Sequence, residues 1–249
     1  PPSLIPPTPA SARSLGLVGS ERCLRDRPAP VPPGASRVAA IDCGTNSIRL
    51  LVADVDPRAG TLVDLDRRME VVRLGQGVDR TGRLAPEALA RTLDAARRYA
   101  QVIADLGATR TRFVATSATR DAENRDEFVA GVLDALGVEP EVVSGEEEAA
   151  LSFRGATSTV AAVRPGPYVV VDLGGGSTEL VLGTTTPDAA YSMDVGCVRM
   201  TERHLRSDPP TPAEEAAARA DVRAAGGDAG RGGARGAGGP RGRRGGGRA

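Results

Sequence analysis

Twice in this chain an apolar strand runs into Asp-x-Gly, then small or polar residues, then Ser, then a second apolar strand; the two aspartates, Asp42 and Asp172, lie 130 positions apart. The first copy reads VAAIDCGTNSIRLLVADV, residues 38–55, and the second YVVVDLGGGSTELVLG, residues 168–183. Aligned on the aspartates, they match at Asp42/Asp172, Gly44/Gly174, Ser47/Ser177 and Leu50/Leu180. The apolar runs have strand length and leave no room for a helix straight after the turn, so each copy is a hairpin and not a Walker loop or a dinucleotide fingerprint. Gly174, Gly175 and Gly176 can take positive φ and carry no Cβ, which lets several backbone N–H groups converge on one anion. An aspartate beside such a nest repels phosphate but holds a divalent cation, or its waters, against it. One hairpin of this kind would suit a ligand-free tight turn equally well; two at domain spacing point to a phosphate site built from two domains.

All 32 basic residues are Arg, and Ala and Gly are abundant, a pattern we attribute to GC-rich codon usage. With aromatics at 2% and no Trp, the core has to be built from Val, Leu, Ile and Ala, which suits a parallel or mixed sheet packed against helices. Cys23, Cys43 and Cys197 are odd in number and have no CxxC spacing, which implies a reducing, cytoplasmic setting. No run reaches the roughly 20 apolar residues of a membrane span, and residues 15–18 are too short for a signal h-region. The lone His204 is read as a solvated residue at a polar helix end. Net charge is zero overall, but residues 1–36 carry +2 and residues 223–249 carry +6, leaving about −8 between them. An acidic body binds a polyanion only through metal ions and a few aimed arginines, which argues against a nucleic-acid partner.

Residues 1–36, rich in Pro, Ser and Arg, read as a disordered leader. Residues 61–74 read as a strand pair with a charged turn and 75–82 as a loop. Pro86 opens a helix with Leu89, Leu93, Ala96, Ala100, Ile103 and Leu106 at helical spacing, closed by Gly107. A strand over 112–116 ends in polar Ser117-Ala118-Thr119-Arg120, where a buried strand meets a ligand cleft. A helix over 125–136 and a short strand over 141–143 follow. Ser144 and Glu147 then fit a capping box. Acids favoured at a helix N-terminus account for Glu146 and Glu147; no local rule requires one at Glu148, which makes it the candidate general base. A third strand over 191–195, a helix over 198–205 and an alanine-rich helix over 212–225 complete the reading. Past Gly226 the chain is Gly, Arg and Ala apart from Asp228 and Pro240, with too little to bury for a core.

The two hairpins, ATSATRDAEN (115–124), VVSGEEEA (142–149) and MDVGCVRMTE (193–202) together resemble the exopolyphosphatase and guanosine pentaphosphate phosphohydrolase (Ppx/GppA) family over roughly residues 37–208. That family belongs to the actin-like ATPase superfamily, so the resemblance implies an α/β fold of two ribonuclease H-like domains around a phosphate cleft. The domains expected are an N-terminal one over 37–152 and an incomplete second over 153–222, with 223–249 a disordered Gly/Arg tail that looks like the product of a frameshift. By the same resemblance Glu148 orients and deprotonates the attacking water. Asp42, Asp172 and Glu179 help to hold Mg2+ or another divalent cation, and Arg120 grips the phosphate chain. The backbones of Gly44, Thr45, Asn46 and Ser47 and of Gly174, Gly175, Gly176 and Ser177 cradle successive phosphates. One departure is Ala150, where the family usually has Arg shortly after its glutamate. Another is the missing remainder of the second domain, which leaves an unpaired sheet edge and an uncovered apolar face.

The implied reaction is metal-assisted attack by water on the terminal phosphoryl group of inorganic polyphosphate. Two alternatives stay open: hydrolysis of guanosine pentaphosphate, and a non-catalytic protein that binds polyphosphate or nucleotide. A kinase of the same superfamily fits less well, because no sugar-binding segment is evident. The partners expected are therefore polyphosphate or guanosine pentaphosphate and, by family habit, a second copy of the chain; neither nucleic acid nor membrane is expected.

Overall fold

The computed structural model describes residues 28–236, with side chains as far as residue 227. Most of the expected leader and the end of the Gly/Arg tail lie outside the described residues. The first repeat forms the hairpin of β1 (Ser36–Cys43) and β2 (Ser47–Asp56), in the register Asp42↔Arg49. Residues 61–71 form a single strand, β3 (Thr61–Val71), antiparallel to β2, where the charges had suggested a strand pair. Asp64 and Asp66 do not turn the chain. They pair with Arg67 and Arg68 on an exposed outer strand, where charge is tolerated and discourages edge-to-edge pairing.

The expected loop over 75–82 contains one helical turn, α1 (Val78–Thr81), flanked by left-handed Gly77 and Gly82. Helix α2 (Pro86–Leu106) has Pro at its N-terminus and left-handed Gly107 beyond its end, as expected. It buries Ala88, Thr92, Ala95, Ala96, Tyr99 and Ile103, a face turned by about one residue from the leucine stripe. Strand β4 (Arg110–Ala115) lies parallel to β1 and leads through α3 (Ser117–Arg120) and α4 (Arg125–Leu136) to β5 (Glu141–Val142), parallel to β4. The resulting order, β3-β2-β1-β4-β5, is the ribonuclease H-like arrangement.

Its core lies on one face of the sheet. Ala39, Ile41, Cys43, Ile48, Leu50 and Val52 meet Tyr99, Phe113, Phe128 and Val132 there. Three of the six aromatics lie here: Phe113 and Phe128 pack edge-to-face with centroids 6.0 Å apart, and the Tyr99 hydroxyl donates to the Ile48 carbonyl at 3.1 Å. Arg37, almost fully buried, makes a two-pronged pair with Asp54 (2.8 and 2.9 Å) and also donates to the Leu106 carbonyl (3.0 Å), tying β1, β2 and the end of α2 together.

Helix α5 (Gly145–Val160) starts where the capping box put it: Ser144 Oγ accepts from the Glu147 amide at 3.1 Å. Strands β6 (Tyr168–Leu173), β7 (Thr178–Gly183) and β8 (Pro187–Met193) form a three-stranded antiparallel sheet that repeats β1-β2-β3. Ala149 and Phe153 of α5 pack against Tyr168, Val170 and Val181 on one face of this sheet. Val169, Val171, Leu173 and Leu182 are exposed.

Helix α6 (Cys197–His204) and the long α7 (Pro212–Gly236) follow. A reciprocal cap starts α7: Thr211 Oγ1 accepts from the Glu214 amide and Glu214 Oε2 accepts from the Thr211 amide, at 3.3 and 2.8 Å. The helix runs past residue 225, where composition had ended it, although each glycine costs about 1 kcal/mol relative to alanine. Propagation from a capped, alanine-rich start needs only one hydrogen bond per added residue. His204 is not a free surface residue: its Nε2 lies 2.8 Å from Asp221 Oδ2 and its side chain is largely covered. Among the described residues no helix is long and apolar enough to cross a membrane.

Candidate active site

Both Gly-rich turns close in the same way. Gly44 N–H donates to the Ser47 carbonyl at 3.0 Å, and Gly174 N–H to the Ser177 carbonyl at 2.9 Å. In each turn two further carbonyls are held by amides of a neighbouring segment. Thr45 O accepts from Gly75 N–H (2.8 Å), and Asn46 O accepts from Val72 and Arg73 (3.0 and 2.9 Å). Gly174 O accepts from Cys197 N–H (3.0 Å), and Gly175 O from Val198 and Arg199 (2.9 and 3.1 Å). In a planar trans peptide the N–H points opposite to the C=O, so the amides of Asn46 and Ser47, and of Gly175 and Gly176, face away from these anchors.

The glycines of the second turn serve a purpose other than the one expected. Gly174, Gly175 and Gly176 are not left-handed; Gly175 and Gly176 are small because the two turns touch, whereas a Cβ on Gly174 would meet only its own turn, 3.1 Å from the Ser177 carbonyl oxygen. A Cβ on Gly175 would sit 2.9 Å from Thr45 Cβ, and one on Gly176 would sit 2.6 Å from Ser117 Oγ and 2.8 Å from Thr45 Oγ1. Thr45 and Ser117 hydroxyls bond each other at 2.8 Å directly beneath that contact.

Asp42, Glu148 and Asp172 line a single cleft of about 820 Å³, with Thr116, Ser152 and Arg49. Glu148, on the first turn of α5, is mostly covered and bonds Arg120 (Nη1 to Oε2, 3.2 Å), which also donates to the Val143 carbonyl at 2.9 Å. Burial pushes the Glu148 carboxyl up to about 7, and the negative charge of Glu179 adds to this; the Arg120 bond and charge and a bond from Thr116 pull the other way.

Glu179 is 1% exposed and accepts from Ser192 Oγ at 2.8 Å. Its carboxyl is raised by burial, against bonds from Ser192 and Ser177. Asp172, its cross-strand neighbour, accepts from Ser152 Oγ at 2.6 Å. Asp42 lies 3.8 Å from Arg49. Water reaches the Asp42 side chain freely, so the desolvation that raises its carboxyl comes from the cleft walls rather than from enclosure; Arg49 opposes the rise and Asp172 adds to it.

Of the residues proposed from the sequence, Asp42, Glu148 and Asp172 thus line one cleft, and the turn residues lie outside its lining, where the two turns meet. Glu179 and Arg120 sit behind the cleft wall and act on Glu148. Among the described residues, no three His, Cys, Asp or Glu side chains come close enough to cage an ion by themselves. The donor set still fits a hard divalent ion: Asp42 and Asp172 line the same cleft, each offering only carboxylate oxygens, and Mg2+ commonly takes one or two carboxylates, keeps several waters and completes its shell from substrate phosphate.

Sequence reasoning missed Thr116, Ser152 and Ser192, the hydroxyls that orient the three acids, and Arg199. Thr116 lies within ATSATRDAEN and Arg199 within MDVGCVRMTE, so both motifs were visible although these two residues' roles were not.

Known proteins resemble this chain in sequence and in fold. Exopolyphosphatase 2 of Mycobacterium tuberculosis is 56% identical over 195 residues, 76% of this chain and 61% of that protein. The crystal structure of an exopolyphosphatase-like protein superposes with a TM-score of 0.76 at 54% identity, covering 80% of this chain and 62% of the other. The Ppx/GppA family member of Aquifex aeolicus gives 0.60 at 34% identity, covering 72% and 58%. The chain thus spans about three-fifths of the length of these relatives. With the Ppx/GppA phosphatase family matching over residues 51–229, on a fold that repeats one strand-turn-strand unit around an acidic cleft, the chain belongs to that family.

Proposed function

We propose that this chain carries the catalytic cleft of an exopolyphosphatase. The observation that supports this most directly is Glu148: a covered carboxylate with its proton affinity raised to about 7, held by Arg120, on a cleft that it shares with Asp42 and Asp172, the aspartates at the ends of the strands leading into the two Gly-rich turns. A general base works best when its pKa lies near the operating pH. The amides of residues 46–47 and 175–176, turned away from their carbonyl anchors, are the donors we assign to phosphate oxygens.

In this reading Glu148 takes a proton from a water molecule. The water oxygen bonds to the terminal phosphorus, and the bridging P–O bond breaks with its electron pair passing to the shortened chain, in line with the attack. Arg120, bonded to Glu148, holds the carboxylate in place and offers its remaining N–H groups to phosphate. Asp42 and Asp172, with Glu179 behind them, would hold a divalent cation, which when bound neutralises charge developing on the phosphoryl oxygens. The unpaired thiols Cys43 and Cys197 are compatible with a cytoplasmic setting.

Phosphate release from short-chain polyphosphate with Mg2+ tests this, on the parent and on Glu148→Gln. The variant is expected to lose about 100- to 10,000-fold in kcat with little change in binding. A loss of only a few-fold would remove Glu148 as the base. Faster release from guanosine pentaphosphate under the same conditions would reassign the substrate, and tight binding of polyphosphate without release would replace hydrolysis by a binding role.

A further inference from the structure

We propose that Arg199 is a positioning residue for this hydrolysis, fixing the second Gly-rich turn and the Arg120–Glu148 pair in one geometry; the proposal rests on the reading just given. The first turn of α6 lies on the second Gly-rich turn so closely that a Cβ on Gly196 would stand 2.3 Å from the Gly175 carbonyl carbon. Two backbone carbonyls of that turn, Gly174 and Gly175, are held by amides of α6, and the third, Gly176, accepts from Arg199 Nε at 2.8 Å. This last bond turns the Ser177 amide to the side opposite α6.

The other end of the same guanidinium reaches the first half of the fold. Nη1 donates to Asp79 of α1 at 2.9 Å and Nη2 to Asp121 at 2.6 Å, and the side chain is only 14% exposed. Asp121 closes α3, whose last residue is Arg120. One rigid planar fork therefore joins a turn carbonyl to the residue next to the arginine that grips Glu148. Lysine, a single point charge on a flexible stem, does not reproduce three fixed directions.

Arg203, one turn further along α6, provides an internal control. It pairs with Asp79 (2.9 and 2.7 Å) and Asp221 (3.0 Å), in the same ionic cluster, but its bonds reach neither Gly-rich turn nor Asp121.

The test compares Arg199→Met, Arg199→Lys and Arg203→Met in the full chain, by steady-state phosphate release and by amide exchange over residues 117–121 and 174–177. Arg199→Met should lower kcat about 10- to 100-fold with KM little changed, the scale of a small misplacement of reacting groups. Arg199→Lys should fail to rescue it, and Arg203→Met should stay close to the parent. Exchange should accelerate in both segments for Arg199→Met while β1 and β2 keep their protection. Equal losses in Arg199→Met and Arg203→Met, or rescue by lysine, would reduce Arg199 to one ion pair among several and overturn the proposal. If the parent releases no phosphate, the hydrolysis reading fails separately. The exchange data then decide: acceleration in both segments upholds the coupling, and acceleration in neither overturns it.

Discussion

The two halves of the repeat share a local structure and differ in what surrounds it. Their turns close with equivalent hydrogen bonds of 3.0 and 2.9 Å. Yet Ile41 and Cys43 of β1 are 2% and 1% exposed, while their counterparts Val171 and Leu173 of β6 are 61% and 64% exposed. Strand β1 has β2 on one side and β4 on the other, with α2 and α4 over its face; β6 is an edge, α5 covers the opposite face of its sheet, and α7 reaches that sheet only at β8. A turn is thus set by a dozen residues of hairpin, whereas burial of the same strand is set by elements that arrive later in the chain. The second turn depends on two short-range supports, the Phe153 contact beneath its sheet and the α6 clamp beside it.

Removing one aromatic from each half tests that asymmetry with the largest expected effect. Phe113→Ala and Phe153→Ala each delete a fully buried ring, at a cost of about 3–5 kcal/mol. Phe113 sits in the extended core, so its loss should expose β1, β2 and β4 together. Phe153 belongs to a cluster of three buried residues. Its loss should open β6–β8 alone, leaving the first sheet as protected from amide exchange as in the parent. Uniform loss of protection in both variants would mean that the halves unfold as one unit.

Much of this was legible in the sequence because it is local. The hairpin register, the Ser144 cap, the bounds of α2 and α4, and the placing of Glu148 on a first helical turn all follow from neighbours in the chain. What escaped depends on distant partners or on context. The charges of β3 read as a turn because sequence gives no sign that an outer strand has solvent on it. His204 read as solvated because its partner, Asp221, lies on another helix. The second-turn glycines suggested left-handed backbone, when Gly175 and Gly176 are needed for a contact with Thr45 and Ser117, more than fifty residues away in the chain.

That contact gives the next, smaller test. Alanine at Gly44 would put its Cβ 3.7 Å from the Ser47 carbonyl oxygen and 4.0 Å from Thr116 Oγ1, ordinary van der Waals distances, and Gly44 is not left-handed. At Gly176 the same methyl meets two hydroxyls of the other half at under 3 Å. Gly176→Ala should therefore cost about 1–3 kcal/mol by overpacking, and Gly44→Ala well under 1 kcal/mol, measured as urea midpoints at constant m. Equal costs would show that the turns are not pressed together in solution, and with that the joint placement of the two phosphate nests would go.

The smallest effect concerns the charge that collects where the halves meet. Asp42 comes from the first half, Glu148 from the helix that covers the second sheet, and Glu179 from that sheet; all three carboxyls are raised. A carboxyl raised on folding holds more protons in the folded chain than in the unfolded one between its ordinary value and its folded value. Its contribution is therefore fully present at low pH and is lost as pH rises through that window. For Glu148 the window runs from 4.5 to about 7. Glu148→Gln removes this charge and part of the load on Glu179, so the variant should match the parent at pH 4 and exceed it at pH 8, by about 1 kcal/mol once screening in an open cleft is allowed for. Parallel urea midpoints from pH 4 to 8 would mean that Arg120 fully compensates the carboxylate. A gap that opens with pH, confined to exchange in β6–β8, would show that the acidic cleft strains the less supported half.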